Sequence, residues 1–115
     1  MEPRSLESLP PIVSEPVREL KRRLAARFGE RLTGVWLYGS WARGEPHVGS
    51  DVDVLVVIRG CTRAEQSEVT RIEVRVMLDT GAPLSLQVMS TEELEFLRSR
   101  EVGFALDVTR EGVSA

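Results

Sequence analysis

Residues 39–53 read Gly39-Ser40-Trp41-Ala42-Arg43-Gly44-Glu45-Pro46-His47-Val48-Gly49-Ser50-Asp51-Val52-Asp53. Val35-Trp36-Leu37-Tyr38 precedes this stretch and Val54-Leu55-Val56-Val57-Ile58 follows it. Both flanks are rich in β-branched and aromatic residues and bounded by turn residues, so they predict two buried strands joined by a loop. Two carboxylates at the head of a strand of valine and leucine serve no packing purpose. Residues i and i+2 of a strand face one side, which sets Asp51 and Asp53 about 7 Å apart at their Cα atoms. Two like charges so placed repel unless a cation lies between them, and hard oxygen donors suit magnesium alongside substrate phosphates. At the other end, Gly39 permits a sharp turn and close approach of a ligand. Ser40 adds a hydroxyl, the amides after it can favour an anion, and Arg43 offers a planar fork for phosphate oxygens. One half of the loop therefore offers phosphate donors and the other offers metal ligands. Phosphoryl or nucleotidyl transfer needs both.

Singly, a Gly-Ser pair reads as a turn, an Asp-x-Asp as solvated acids, and Arg43 as a surface arginine. Together, a strand, Gly39-Ser40, ten residues and Asp51-Val52-Asp53 leading a second strand resemble the nucleotidyltransferase superfamily that includes DNA polymerase β. Gly39-Ser40-Trp41-Ala42-Arg43-Gly44 with Ser50-Asp51-Val52-Asp53 is similar to its small bacterial and archaeal branch, the minimal nucleotidyltransferases. The resemblance covers the central third of the chain. It implies an α/β (α+β) fold: a small mixed, partly antiparallel sheet with helices mainly on one face. It also implies transfer of a nucleoside monophosphate, AMP from ATP, to an acceptor. Gly39, Ser40, Arg43 and Ser50 would bind the nucleotide phosphates, and Asp51 and Asp53 would be catalytic and hold magnesium, one ion or two.

At 115 residues the chain predicts a single domain. Its 42% apolar and 29% charged residues are those of a soluble globular protein. A net charge of −3 leaves no excess of base to neutralise phosphates, which argues against nucleic acid as the main partner. Cys61, the one cysteine, rules out an internal disulfide and fits the cytoplasm. No apolar run reaches transmembrane length, and Glu2, Arg4 and Glu7 do not fit a signal peptide.

Residues 1–13 read as an arm held by Leu9 and Ile12, ahead of a domain spanning 14–115. Ser14-Glu15-Pro16 predicts a helix start, and Val17, Leu20, Leu24 and Phe28 give the buried stripe up to Gly29. The opposite face, with Arg18, Lys21, Arg22, Arg23 and Arg27, reads as solvated rather than as a docking surface. Thr62 to Glu65 forms a capping box that predicts a helix from about Ala64 to Leu78, burying Val69, Ile72 and Val76. Ile72, Val74, Val76 and Leu78 also alternate, so a strand over residues 70–78 stays open. Strands are expected at Gly34–Tyr38, Asp51–Ile58 and Leu84–Met89. A second capping box at Ser90 and Glu93 opens a helix, and a last helix spans about Phe104 to Arg110.

Of the remaining residues, Trp36 is expected in the core and Tyr38 beside the Gly-Ser turn. Trp41 is open between core and base stacking, His47 reads as exposed, and Cys61 as a small buried residue. In the family that the chain resembles, a third carboxylate stands on a strand beside the Asp pair. The strand in that place, Leu84 to Met89, offers only Ser85 and Gln87. Gln87, the weak third position, can lend a carbonyl oxygen to a metal but cannot act as a base. The chain has no length left for an acceptor-binding lobe, so the acceptor groove is completed by a second copy or by another protein. The resemblance implies a helical HEPN-domain partner in a toxin–antitoxin pair, with AMP added to that partner. A competing reading is a nucleotide-binding module that neutralises its partner by covering it. An antibiotic-modifying enzyme of the kanamycin type ranks last, for want of walls around a small acceptor.

Overall fold

The computed structural model describes residues 5–44 and 51–115. Its sheet runs in the order β3-β2-β1-β4, with β1 at Leu32–Tyr38, β2 at Val52–Ile58, β3 at Leu84–Ser90 and β4 at Val113–Ser114. β1 pairs antiparallel with β2 and β4, whereas β2 and β3 are parallel. Parallel neighbours need a crossover, supplied by helix α3 at Arg63–Thr80. This settles residues 70–78 as helix: Val69 and Val76 are fully buried, Ile72 is partly so, and Val74 and Leu78 are exposed. Both capping boxes form, Thr62 with Glu65 and Ser90 with Glu93, the latter opening α4 at Thr91–Ser99. A further helix, α5, spans Gly103–Glu111.

Alternation along the strands separates two faces. Val35, Leu37, Val52, Val54, Val56 and Ile58 meet the buried stripe of helix α1 (Pro11–Phe28) and α3 in the larger core. Leu55, Val57 and Met89 point the other way and pack with Leu94, Ala105 and Val108 of α4 and α5. The sheet is thus mixed and the two long helices share one face, as expected. Trp36 joins the smaller cluster half-buried, and Trp41 packs beside the larger one.

The N-terminus differs from expectation. Helix α1 begins at Pro11, not Ser14, and Ser14 is 3% exposed inside it. Pro10 and Pro11 carry the backbone into the first turn, where a missing N–H costs nothing. Leu6 is buried and Leu9 packs on the core, but Ile12 is 72% exposed and anchors nothing. Asp51 lies just outside β2, and Cys61 is half-buried rather than buried.

The arginine face of α1 is also not simply solvated. Arg27 forks onto Glu68 at 2.6 and 2.9 Å, and Arg23 reaches Asp79 at 2.7 Å, so both tie α1 to α3. Arg22 pairs with Glu19 on its own helix. Just beyond α1, Arg31 holds Glu65 through two bonds of 2.7 Å. Glu65 also accepts the Thr62 amide at 3.0 Å. The Arg31 bonds first, and the Thr62 amide second, lower the Glu65 carboxyl from 4.5 to about 2. A carboxyl whose pKa falls on folding stabilises the fold fully above its unfolded value and loses that contribution as pH drops through the folded value. Glu65→Gln is therefore expected to lower Tm near neutral pH. The deficit should shrink as pH falls from about 4.5 to about 2; a deficit constant over that window would contradict this assignment.

Candidate functional site

β1 delivers the chain to Gly39, and a single helical turn, α2 at Ser40–Arg43, follows at once. Gly39 has φ +77°, a conformation that side chains disfavour. The position excludes a side chain for a second reason: a Cβ on Gly39 would collide with Oδ2 of Asp53. The bare backbone after β1 is thus the seat of the Asp53 carboxylate. Gly39 and Asp53, fourteen positions apart in sequence, are in contact.

The register explains why. Tyr38 on β1 is level with Asp53 on β2, which in turn is level with Ser85 on β3. Paired residues of neighbouring strands project to the same face, so Tyr38, Asp53 and Ser85 form a row across the sheet. That face is the one partly covered by α4 and α5. Asp53 is half-buried there, while Asp51 and Arg43 are exposed. Burial first, and then the charge of Asp51, push the Asp53 carboxyl above its ordinary range; Arg43 pulls it back. The charges of Asp51 and Arg43 thus both act on the Asp53 carboxyl. Tyr38 packs beside the turn, its phenol raised by burial and by the Asp53 charge.

The third position is more divided than the sequence indicated. Gln87 lies on the same face as Asp53 and is exposed, but it is level with Leu55, one pleat further along. Ser85 is the residue directly beside Asp53, and neither Ser85 nor Gln87 is ionisable. Among the described residues no group of three His, Cys, Asp or Glu side chains is placed to hold a metal. Glu73 does not enter the site: its carboxylate accepts the Leu86 amide at 3.2 Å, on the β3 edge away from β2. Asp79 is taken up by Arg23. Ser50 and His47 lie outside the described residues.

The donor set fits a hard divalent cation. Two carboxylates share one end of the sheet, the Asp53 carboxyl being raised first by burial and then by the Asp51 charge, and a cation between them would offset that cost. Asp51 and Asp53 are the residues that would hold it.

The sequence pattern described as a nucleotidyltransferase domain matches residues 17–109. The chain belongs to the nucleotidyltransferase family. A protein of Methanocaldococcus jannaschii named "putative protein adenylyltransferase" is 33% identical over 67 residues, which span 57% of this chain and 68% of that protein. A crystal structure from Sulfolobus solfataricus, titled as that of a "putative nucleotidyltransferase", aligns with a TM-score of 0.49 at 20% identity. That alignment covers 91% of this chain and 86% of the other. Family membership rests on the two sequence matches.

Proposed function

We propose that the chain transfers AMP from ATP to a hydroxyl of a partner protein, as a minimal nucleotidyltransferase. The observation that carries this reading is the Asp53 carboxylate seated against bare Gly39, which supports treating the Gly-Ser turn and the Asp pair as one site. In this mechanism Ser40 donates its hydroxyl to the terminal phosphates, and Ser50 adds a second hydroxyl. The Arg43 fork neutralises charge gathering on the departing pyrophosphate. Magnesium, when held by Asp51 and Asp53, supplies Lewis-acid stabilisation of phosphate charge. An acceptor oxygen forms its bond to the α-phosphorus while the bond from that phosphorus to pyrophosphate breaks. The acceptor proton passes to solvent or to the partner, because Ser85 and Gln87 are no bases.

The acceptor on this reading is brought by another chain, a helical HEPN-type protein in a toxin–antitoxin pair. The name carried by the M. jannaschii relative supports a protein acceptor. Cys61, half-buried and unpaired, fits a cytoplasmic setting, and among the described residues no helix is long and apolar enough to cross a membrane. The second reading, a module that binds nucleotide and neutralises its partner by contact, draws on the neutral Ser85 and Gln87.

Incubating the chain and magnesium with host lysate and ATP labelled at either the α- or the γ-phosphate tests both readings. AMP transfer predicts a protein band labelled from the α-position and not from the γ-position. A partner recovered with the chain but unlabelled by either would favour the binding module. Label from the γ-position would overturn nucleotidyl transfer.

A further inference from the structure

Phe104 stands in the first turn of α5 and meets Tyr38 edge to face, with ring centroids 5.3 Å apart and planes at 87°. Tyr38 is level with Asp53 on the adjacent strand and on the same face, so its ring lies about one strand spacing, roughly 5 Å, from the carboxylate column. Both aromatic residues are only half-buried. The neighbours of Phe104 that hold α5 to the sheet, Ala105 and Val108, are fully buried and do the packing. The pair is therefore only partly covered, and it stands at the Tyr38 end of the Tyr38–Asp53–Ser85 row. On this face Trp36 is folded back over Gly34, where a Cβ would strike its ring, and is thus occupied within its own strand.

Resting on the nucleotidyl-transfer reading, we propose that Tyr38 and Phe104 form the subsite for the nucleobase of the bound triphosphate. The triphosphate lies at the Gly39–Arg43 turn and the Asp pair, and the base turns onto the aromatic pair. Phe104 supplies the stacking surface, and Tyr38 fixes the angle of the Phe104 ring through the edge-to-face contact. Every base has a π-face, so such a subsite separates nucleotides from bare polyphosphate more sharply than it separates one base from another.

The test compares dissociation constants for magnesium-ATP and for magnesium tripolyphosphate, which carries the phosphate chain without nucleoside. Phe104→Leu is expected to weaken ATP binding about tenfold and tripolyphosphate binding by less than about twofold, since base stacking is what the variant loses. Phe104→Tyr, which keeps an aromatic face, is expected to recover most of the ATP affinity that Phe104→Leu loses. Equal weakening toward both ligands, or an unchanged ATP affinity in Phe104→Leu, would overturn the subsite. A wild-type chain that binds tripolyphosphate as tightly as ATP would overturn it too, while leaving the phosphate site standing. Failure of the wild-type chain to bind either ligand would overturn the nucleotidyl-transfer reading and the subsite together.

Discussion

Asp53→Asn is expected to abolish AMP transfer and at the same time to raise Tm. The two effects have one cause. Asp53 is half-buried, and burial together with the Asp51 charge raises its carboxyl pKa above the ordinary value. A carboxyl whose pKa rises on folding costs stability wherever it is ionised, which includes neutral pH. Asparagine keeps the shape against Gly39 and removes the charge, so the folded state gains. On the proposed mechanism the reaction loses a charge that would hold magnesium against phosphate. Lewis-acid stabilisation is worth several kcal/mol, which sets the expected fall at about 10³-fold or more in kcat. A second readout separates this from damage to the fold. Magnesium should raise the Tm of the unmodified chain, since on the proposed mechanism it would bind only the folded carboxylate pair, and should leave Asp53→Asn unmoved. Asp51→Asn should lose transfer as well. Retained transfer in the double variant, or a magnesium-dependent Tm in it, would remove the Asp pair from the mechanism.

The parts of this molecule that were legible in the sequence are those written in local chemistry. Thr62 with Glu65 and Ser90 with Glu93 state their helix starts within four residues, because a cap is satisfied by side chains at fixed offsets. Val54 to Ile58 could only be a strand buried on both faces. Gly39-Ser40 and Asp51-Val52-Asp53 marked the candidate site, and the fold brings Gly39 and Asp53 together. The start of α1 was misplaced because Ser14 and Pro16 carry a local start signal that burial overrides: Val13, Ser14 and Pro16 lie inside a helix already begun at Pro11. The arginines of α1 looked solvated because their acidic partners are 41 residues away for Arg27 and 56 for Arg23. No window along the chain brings them together. β4, two residues long, carries no period to detect. Alternation placed Ser85 and Gln87 on one face correctly, but only the pairing register shows that Ser85 is level with Asp53.

That register sharpens the largest gain expected from a single substitution. Gln87→Asp should raise transfer by about 10²–10⁴-fold, the usual contribution of a positioned general base, or roughly 3–5 kcal/mol of transition-state stabilisation. Gln87 is exposed on the Asp face and one pleat beyond Ser85, so a carboxylate there is solvated and reaches the site along the strand direction. It can ionise at neutral pH and accept the acceptor proton. ATP affinity should change less, because the proposed phosphate contacts from Ser40 and Arg43 do not involve residue 87. Ser85→Asp is the informative comparison. Its carboxylate would stand one strand spacing, roughly 5 Å, from Asp53, which burial and Asp51 already push toward the protonated form. A third negative charge at that point raises Asp53 further before it can serve as a base, so Ser85→Asp is expected to gain less than Gln87→Asp and to lower Tm. Single-turnover transfer with labelled ATP, measured beside ATP affinity for both variants, decides the matter. A larger gain in Ser85→Asp would move the third position to the residue level with Asp53. No gain in either variant would mean that proton removal does not limit the unmodified chain, its acceptor being deprotonated by the partner or by water.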